Sequence, residues 1–169
     1  MKVLTYKSGY SLVEMLIYVS ILSVISFLMV STVLSFIGSY RQLVALRIVE
    51  HSGIDAMEKM TRDIRAGTTI DTVNSTFGTN PGVLTLITTA NNVSTTTKFY
   101  LQNGIVKVDI NGSYFGPITS STASTTSIVF TKLNSSISNA VKIDMTVSAT
   151  VGTTSRTKTY HSTVILKGQ

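Results

Sequence analysis

The sequence predicts an α+β protein in which a long N-terminal helix precedes an antiparallel β-sheet. First, Glu14 is the only charged side chain between residues 10 and 37, and no proline occurs between residues 1 and 80. Second, apolar residues recur every three or four positions up to Ala66, as on one face of a helix. Third, β-branched residues alternate with polar ones after Gly67, as in half-buried strands. The 169 residues allow one membrane helix and one soluble domain of modest size.

The apolar segment 10–37 is long enough to be a transmembrane helix, because about 20 apolar residues cross the hydrocarbon core of a bilayer. A short leader, residues 1–9, precedes it and carries Lys2 and Lys7. By the positive-inside rule these lysines predict a cytoplasmic N-terminus and a C-terminal domain outside, although Arg41 and Arg47 on the far side weaken the bias. An ordinary secretory signal is disfavoured, since its apolar region has only about 7–15 residues and precedes its cleavage site.

Residues 38–67 are predicted to continue the same helix as a soluble half that packs on a sheet. One stripe of apolar and small residues marks the packing face: Leu43, Leu46, Val49, Gly53, Met57, Met60 and Ile64. Pairs of opposite charge four residues apart suit the exposed face: Asp55 with Lys59, Glu58 with Arg62, and Lys59 with Asp63. Gly67 predicts the end of the helix, and Gly38 and Gly53 are the expected points of bending.

Residues 68–169 are predicted to form a β-rich globular domain, because they are rich in Ser, Thr and Asn with short β-branched runs. The expected strands are 83–89, 97–102, 105–110, 127–133, 141–151 and 157–166. Asn103 and Gly104 predict a tight hairpin turn, residues 152–155 a second turn, and the Ser/Thr-rich segment 119–127 a loop. A single antiparallel sheet laid on the helix stripe is the simplest architecture.

The residue types that carry chemistry give no catalytic or metal-binding pattern. The chain has no Cys, and neither His51 nor His161 has another His or Cys three or four residues away, so both are expected to face solvent. No Gly-rich phosphate loop and no Gly-x-Ser-x-Gly motif occurs. The formal charge of +6 is scattered, with no run of Lys or Arg and no interleaved aromatic residues. The sequence therefore predicts no enzyme, no cofactor and no direct nucleic-acid binding.

The run Gly9-Tyr10-Ser11-Leu12-Val13-Glu14, with a basic leader before it and an apolar segment after it, resembles the N-terminus of type IV prepilins and type II secretion pseudopilins. The resemblance implies that a prepilin peptidase cleaves after Gly9 and that Tyr10 becomes the methylated first residue, although Phe is commoner there. It also implies a pilin-like fold and a filament built with other pilin or pseudopilin subunits. Membrane lipid would surround the helix before assembly.

Glu14 is the candidate assembly residue. A charged side chain at the centre of a spanning helix costs about 2.5–3.5 kcal/mol on insertion scales, and less toward the interface. Cleavage after Gly9 would place the α-ammonium of Tyr10 about one helical turn from this carboxylate, and opposite charges attract strongly in a low dielectric. Between stacked subunits the pair would fix the axial register, which is the role that the resemblance implies. The alternative is an interfacial Glu whose carboxylate reaches the lipid headgroups.

Two later segments, 61–66 and 98–107, resemble the helix end and the paired strands of J-type minor pseudopilins and similar minor pilins. The leading expectation is therefore a minor pseudopilin of a type II secretion pseudopilus. It would be made in the cytoplasmic (inner) membrane and assembled into a periplasmic or extracellular filament. Glu14 disfavours the tip-type pseudopilin, which usually lacks this residue. Two alternatives stay open: a subunit of a type IV or competence pilus, and a single-pass anchored binding domain that does not polymerise.

Overall fold

A computed structural model describes residues 11–134 and 139–167; the leader and Tyr10 lie outside this part of the chain. Within the described residues, the helix α1 (Leu12–Ala66) precedes the strands β1 (Thr69–Ile70), β2 (Leu84–Ala90), β3 (Val93–Gln102), β4 (Ile105–Ile110), β5 (Ser113–Pro117), β6 (Ser124–Asn134), β7 (Asn139–Val151) and β8 (Thr154–Ile165). The chain divides into two compact units, Met1–Tyr40 and Arg41–Gln169. The predicted α+β class is confirmed, since a long apolar N-terminal helix precedes antiparallel sheets.

In the first unit, α1 exposes apolar side chains on every side. Leu12, Phe27 and Phe36, for example, are 79 %, 73 % and 71 % exposed. A soluble surface helix has a polar face, and this segment has none, so its side chains are suited to lipid or to other apolar helices. By length and composition α1 can cross a membrane, as the sequence predicted.

In the second unit, α1 buries one stripe of mostly small residues: Ala45, Val49, Ser52, Gly53, Ala56, Met60 and Ile64. The predicted stripe is partly wrong, because Leu43 and Leu46 are exposed and Met57 is only half-buried. Ala45 and Ala56 are fully buried in their place. The physical reason is that small residues of the helix leave room for side chains of the sheets, as Gly53 does for the Tyr160 ring, and a pattern of large apolar residues does not reveal this.

The ion pairs of this helix also differ in part from the prediction. Lys59 donates to Asp63 at 2.8 Å, as predicted. Asp55, however, pairs with His51 one turn earlier, at 2.6 Å, rather than with Lys59. The single Lys59 ammonium has two carboxylates within one turn of it, and the one toward the helix C-terminus holds it. The predicted stabilisation of a few tenths of a kcal/mol per pair therefore applies to Lys59 with Asp63, and not to Asp55 with Lys59.

The first sheet has the strand order β1-β2-β3-β4-β5, and every neighbouring pair is antiparallel. Asn103 and Gly104 form the predicted turn between β3 and β4, with φ angles of 54° and 73°. Positive φ at both positions is the tight hairpin geometry that Asn-Gly favours. Asn111 and Gly112 make a second such turn, with φ angles of 51° and 78°, which leads into β5. The prediction missed β5 and the two-residue β1.

The second sheet has the order β6-β7-β8 and is also antiparallel, so the predicted single sheet is wrong. Strand β6 begins at Ser124, inside the segment predicted to be a loop. Its edge away from β7 is covered by residues 78–82: Gly78 N donates to Phe130 O and Gly82 N to Ile128 O, both at 2.8 Å. This cover satisfies part of an edge that would otherwise remain open to pairing.

The helix stripe and the inner faces of both sheets share one core. The largest fully buried side chains are Phe99, Phe130, Met60, Ile64, Leu84, Leu86, Ile128, Ile143 and Met145. Gly53 belongs to this packing, because a Cβ atom there would lie 2.2 Å from Cε2 of Tyr160. The Tyr160 hydroxyl donates to the carbonyl of Val49 at 3.1 Å. The ring therefore rests directly on the helix backbone at Gly53. The sequence predicted Gly53 to be in the packing stripe, and this is confirmed, but it did not predict the contact with Tyr160.

Candidate functional site

The carboxylate of Glu14 lies in the first turn of α1. Ser11 directly precedes the helix, and Glu14 stands three residues after it, where an acidic side chain is favoured by the helix dipole. Tyr18, one turn further on, donates its hydroxyl to Oε1 of Glu14 at 3.0 Å. Glu14 is also half-buried, whereas the side chains on both sides of it in the sequence are exposed. The helix thus holds this carboxylate against its own surface.

Other polar side chains of the first unit bond to the helix backbone. The hydroxyl groups of Ser20, Ser23, Ser31 and Thr32 each donate to a carbonyl three or four residues earlier, at 2.7–2.9 Å. Such bonds satisfy hydroxyl donors in a medium that offers no water. Glu14 is different, since it carries the only charge of residues 11–40. A bond from one neutral hydroxyl does not neutralise that charge.

The site can accept a cation. An ionised carboxylate has two oxygens with about four lone-pair positions, and Tyr18 occupies one of them. In a low-dielectric layer an ammonium group that fills another position gains far more than it would in water. Two of the predicted site residues, Gly9 and Tyr10, lie outside the described residues, so the cation predicted for this carboxylate stays a prediction.

Two histidines on the second unit are exposed, as predicted, at 77 % for His51 and 62 % for His161. Both contact carboxylates: Nδ1 of His161 lies 2.5 Å from Oδ1 of Asp144, and the Lys142 ammonium lies 3.0 Å from Oδ2. The hydrogen bond from His161, with a further one from Lys142, holds the pKa of Asp144 below its usual value. These side chains form a cluster on the outer face of the second sheet, in which His161 on β8 lies directly across from Asp144 on β7.

Replacing Asp144 by Asn should flatten the acid limb of the pH–stability curve. A carboxyl whose pKa is lower in the folded chain stabilises the fold above its unfolded value of about 3.9, and this contribution disappears as the pH falls through the folded value. Thermal unfolding midpoints of the full chain in detergent, measured from about pH 5 to pH 2, should fall less steeply for D144N than for the parent. Parallel curves for the two proteins would contradict this assignment.

Tyr18 is the contact of Glu14 that the sequence-based prediction missed. The signal was present, since residues four apart on a helix lie side by side.

Comparisons with protein-family models, with curated proteins and with solved structures find no match for this chain. The interpretation of the site therefore depends on its own residues.

Proposed function

We propose that this chain is a structural subunit of a filament, a minor pseudopilin of a type II secretion pseudopilus, which a prepilin peptidase processes and which assembles through its N-terminal helix. One observation carries the proposal: the only charge of residues 11–40 is a carboxylate in the first turn of a helix whose apolar side chains are exposed. Lipid covers those side chains before assembly, and the helices of other subunits cover them afterwards. The carboxylate then binds the N-terminal ammonium of a neighbour.

The folded domain supports a structural role. Its helix stripe and two antiparallel sheets share one core, and that domain follows the apolar segment in the same helix. This α+β layout agrees with the pilin-like plan that the N-terminal motif implies. A subunit of a type IV or competence pilus has the same physical requirements, so it is the alternative within this class. The alternative of another class is an anchored domain that binds a ligand and never polymerises.

Processing separates the filament subunit from the anchored domain. When the precursor is expressed with its organism's prepilin peptidase, we expect mass spectrometry of the purified protein to find an N-terminus at Tyr10 that carries one methyl group. Cells without the peptidase provide the control and should yield a chain that retains residues 1–9. An unprocessed chain in both strains would rule out the filament subunit and leave the anchored domain.

A further inference from the structure

The outer face of the first sheet brings together lysines and tyrosines that are distant in the sequence. Tyr100 on β3 lies opposite Lys107 on β4, and Lys98 lies opposite Asp109, which in turn lies opposite Tyr114 on β5. Side chains that alternate with these, such as Phe99, Val106 and Val108, fill the core. Lys98, Tyr100, Lys107 and Tyr114 therefore share one solvent-facing surface, here named the basic–aromatic face.

Each lysine of this face lies over a ring of the same face. The Lys98 ammonium is 5.8 Å from the centroid of Tyr100, and the Lys107 ammonium is 5.3 Å from that of Tyr114. These distances are within the range of cation–π attraction, which holds the ammonium groups beside the rings. The Tyr114 side chain is 57 % exposed, so much of its surface remains open to a ligand. The face thus presents positive charge and an aromatic surface next to each other.

The charges of this face are not neutralised by neighbours in the way that other lysines are. Lys59 and Lys158 also lie over rings, but each forms an ion pair, with Asp63 and Glu50 respectively. Lys107 instead donates to the neutral amide oxygen of Gln102 at 2.9 Å. In the part of the chain that the structure describes, neither Lys98 nor Lys107 has a carboxylate within 4.0 Å of its ammonium group.

The carboxylate on this face is held by a tyrosine. Tyr100 donates its hydroxyl to Oδ1 of Asp109 at 3.0 Å. Partial burial, together with this bond, raises the pKa of Tyr100 above its ordinary value and so favours the neutral phenol that donates to Asp109. The hydroxyl is a neutral donor, so Asp109 keeps its negative charge, and the face carries two ammonium groups against one carboxylate. The face is therefore positive on balance, and neither ammonium group forms an ion pair among the described residues.

From this arrangement we propose that the basic–aromatic face binds single-stranded nucleic acid. A single strand carries the groups that this face can bind: phosphates, which contact ammonium groups, and unpaired bases, which stack on tyrosine rings. Antiparallel sheets with exposed aromatic side chains are a known kind of platform for such strands. Tyr100 and Tyr114 stand on strands two positions apart in the sheet, so they are about 10 Å apart across it. The strand between them presents Lys107, opposite Tyr100, and Asp109, opposite Tyr114. The backbone that joins two stacked bases would meet Lys107 on the side of Tyr100.

The sequence predicted no direct nucleic-acid binding because it has no run of basic residues. The register of the sheet removes this objection, because it brings distant basic and aromatic residues together. Lys98 and Lys107 are nine positions apart in the sequence, and Tyr114 is further still. The two hairpins fold these residues onto one face. An acidic polypeptide would satisfy the lysines equally well but has no base to stack on Tyr114. The ring is therefore the feature that distinguishes the two ligands.

The test is fluorescence anisotropy of a labelled mixed-sequence single-stranded DNA with the full chain in uncharged detergent. Lys98→Gln with Lys107→Gln should lower the salt dependence of log K by about 1.4, since each phosphate contact on a single strand contributes about 0.7. Tyr114→Ala should weaken binding about tenfold with the salt dependence unchanged, whereas Tyr114→Phe, which keeps the ring, should bind like the parent. Lys142→Gln, on the other sheet, is the matched control and should have no effect.

Three results would overturn the proposal. The first is no binding at about 50 mM salt, where electrostatic contacts to phosphate are strong. The second is equal binding by the parent, the double lysine variant and Tyr114→Ala. The third is competition by polyglutamate as effective as that of unlabelled DNA at equal charge, which would identify an acidic polypeptide as the ligand. None of these results depends on filament assembly, so they leave the proposed structural role untouched.

Discussion

Replacing Glu14 by Ala should stop incorporation of this chain into filaments and leave membrane insertion and cleavage intact. The apolar segment becomes more apolar in this variant, so insertion is not impaired. Removing one partner of a buried ion pair, however, costs about 3–5 kcal/mol, because the other charge is left without compensation. This loss of stability applies to the contact by which the subunit joins the filament. We therefore expect incorporation to fall by at least about a hundredfold, since each 1.4 kcal/mol changes an equilibrium tenfold.

Two further variants separate the charge of Glu14 from its contact with Tyr18. Glu14→Gln keeps an oxygen that accepts from the Tyr18 hydroxyl but loses the negative charge. Tyr18→Phe keeps the charge and loses the hydroxyl. If the carboxylate binds an ammonium of a neighbouring subunit, Glu14→Gln fails to assemble and Tyr18→Phe assembles. If the carboxylate only closes a bond along its own helix, Tyr18→Phe has the defect and Glu14→Gln, which keeps the accepting oxygen, assembles.

The measurement is the amount of subunit in sheared filaments relative to that in the membrane fraction, read by immunoblot in cells that carry the remaining filament genes. A mass of the membrane-bound form that corresponds to cleavage after Gly9 verifies that each variant is processed. Normal incorporation of Glu14→Ala would refute the assembly role. Glu14 would then be an interfacial carboxylate that reaches the headgroups.

The sequence predicted the parts of the fold that local patterns encode. An unbroken apolar run and the absence of proline identified α1, and Asn103 with Gly104 identified a turn because only few residue types adopt positive φ there. The same logic applies to Asn111 and Gly112, yet β5 was missed, since Gly116 and Pro117 make this short strand look like a loop. Division into two sheets was not predictable, because hydrogen bonds from Gly78 and Gly82 to β6 join residues about fifty positions apart.

The candidate sites show the same contrast. Glu14 was predicted from the sequence because a single charge in an apolar run is conspicuous. Tyr18 required only the four-residue spacing of a helix, which the sequence prediction applied to the ion pairs of residues 55–63 and not to Glu14. The basic–aromatic face needed the register of three strands, and a shift by one residue would have turned Lys98 and Tyr100 into the core. Register within such strands depends on tertiary contacts, so sequence patterns alone do not fix it.

Replacing Gly53 by Leu should destabilise the second unit by about 3 kcal/mol, the upper part of the usual range for overpacking. A Cβ at this position alone would lie 2.2 Å from the Tyr160 ring and 2.7 Å from its hydroxyl oxygen. The ring must therefore leave the helix, which breaks its bond to the Val49 carbonyl and opens the neighbouring core. Leu is a better helix former than Gly by up to about 1 kcal/mol, but this gain does not offset the displaced ring.

Gly38→Leu is the matched control, because a Cβ at Gly38 has no atom within 4 Å among those described. Thermal unfolding of the full chain in detergent, followed by tyrosine fluorescence, should show a lower midpoint for Gly53→Leu and none of this loss for Gly38→Leu. A double-mutant cycle with Tyr160→Ala tests the cause, since removing the ring makes room for the leucine. If the clash is the cause, the two substitutions together cost less than the sum of their separate costs. Additive costs would mean that the helix backbone, and not the ring, limits what position 53 can hold.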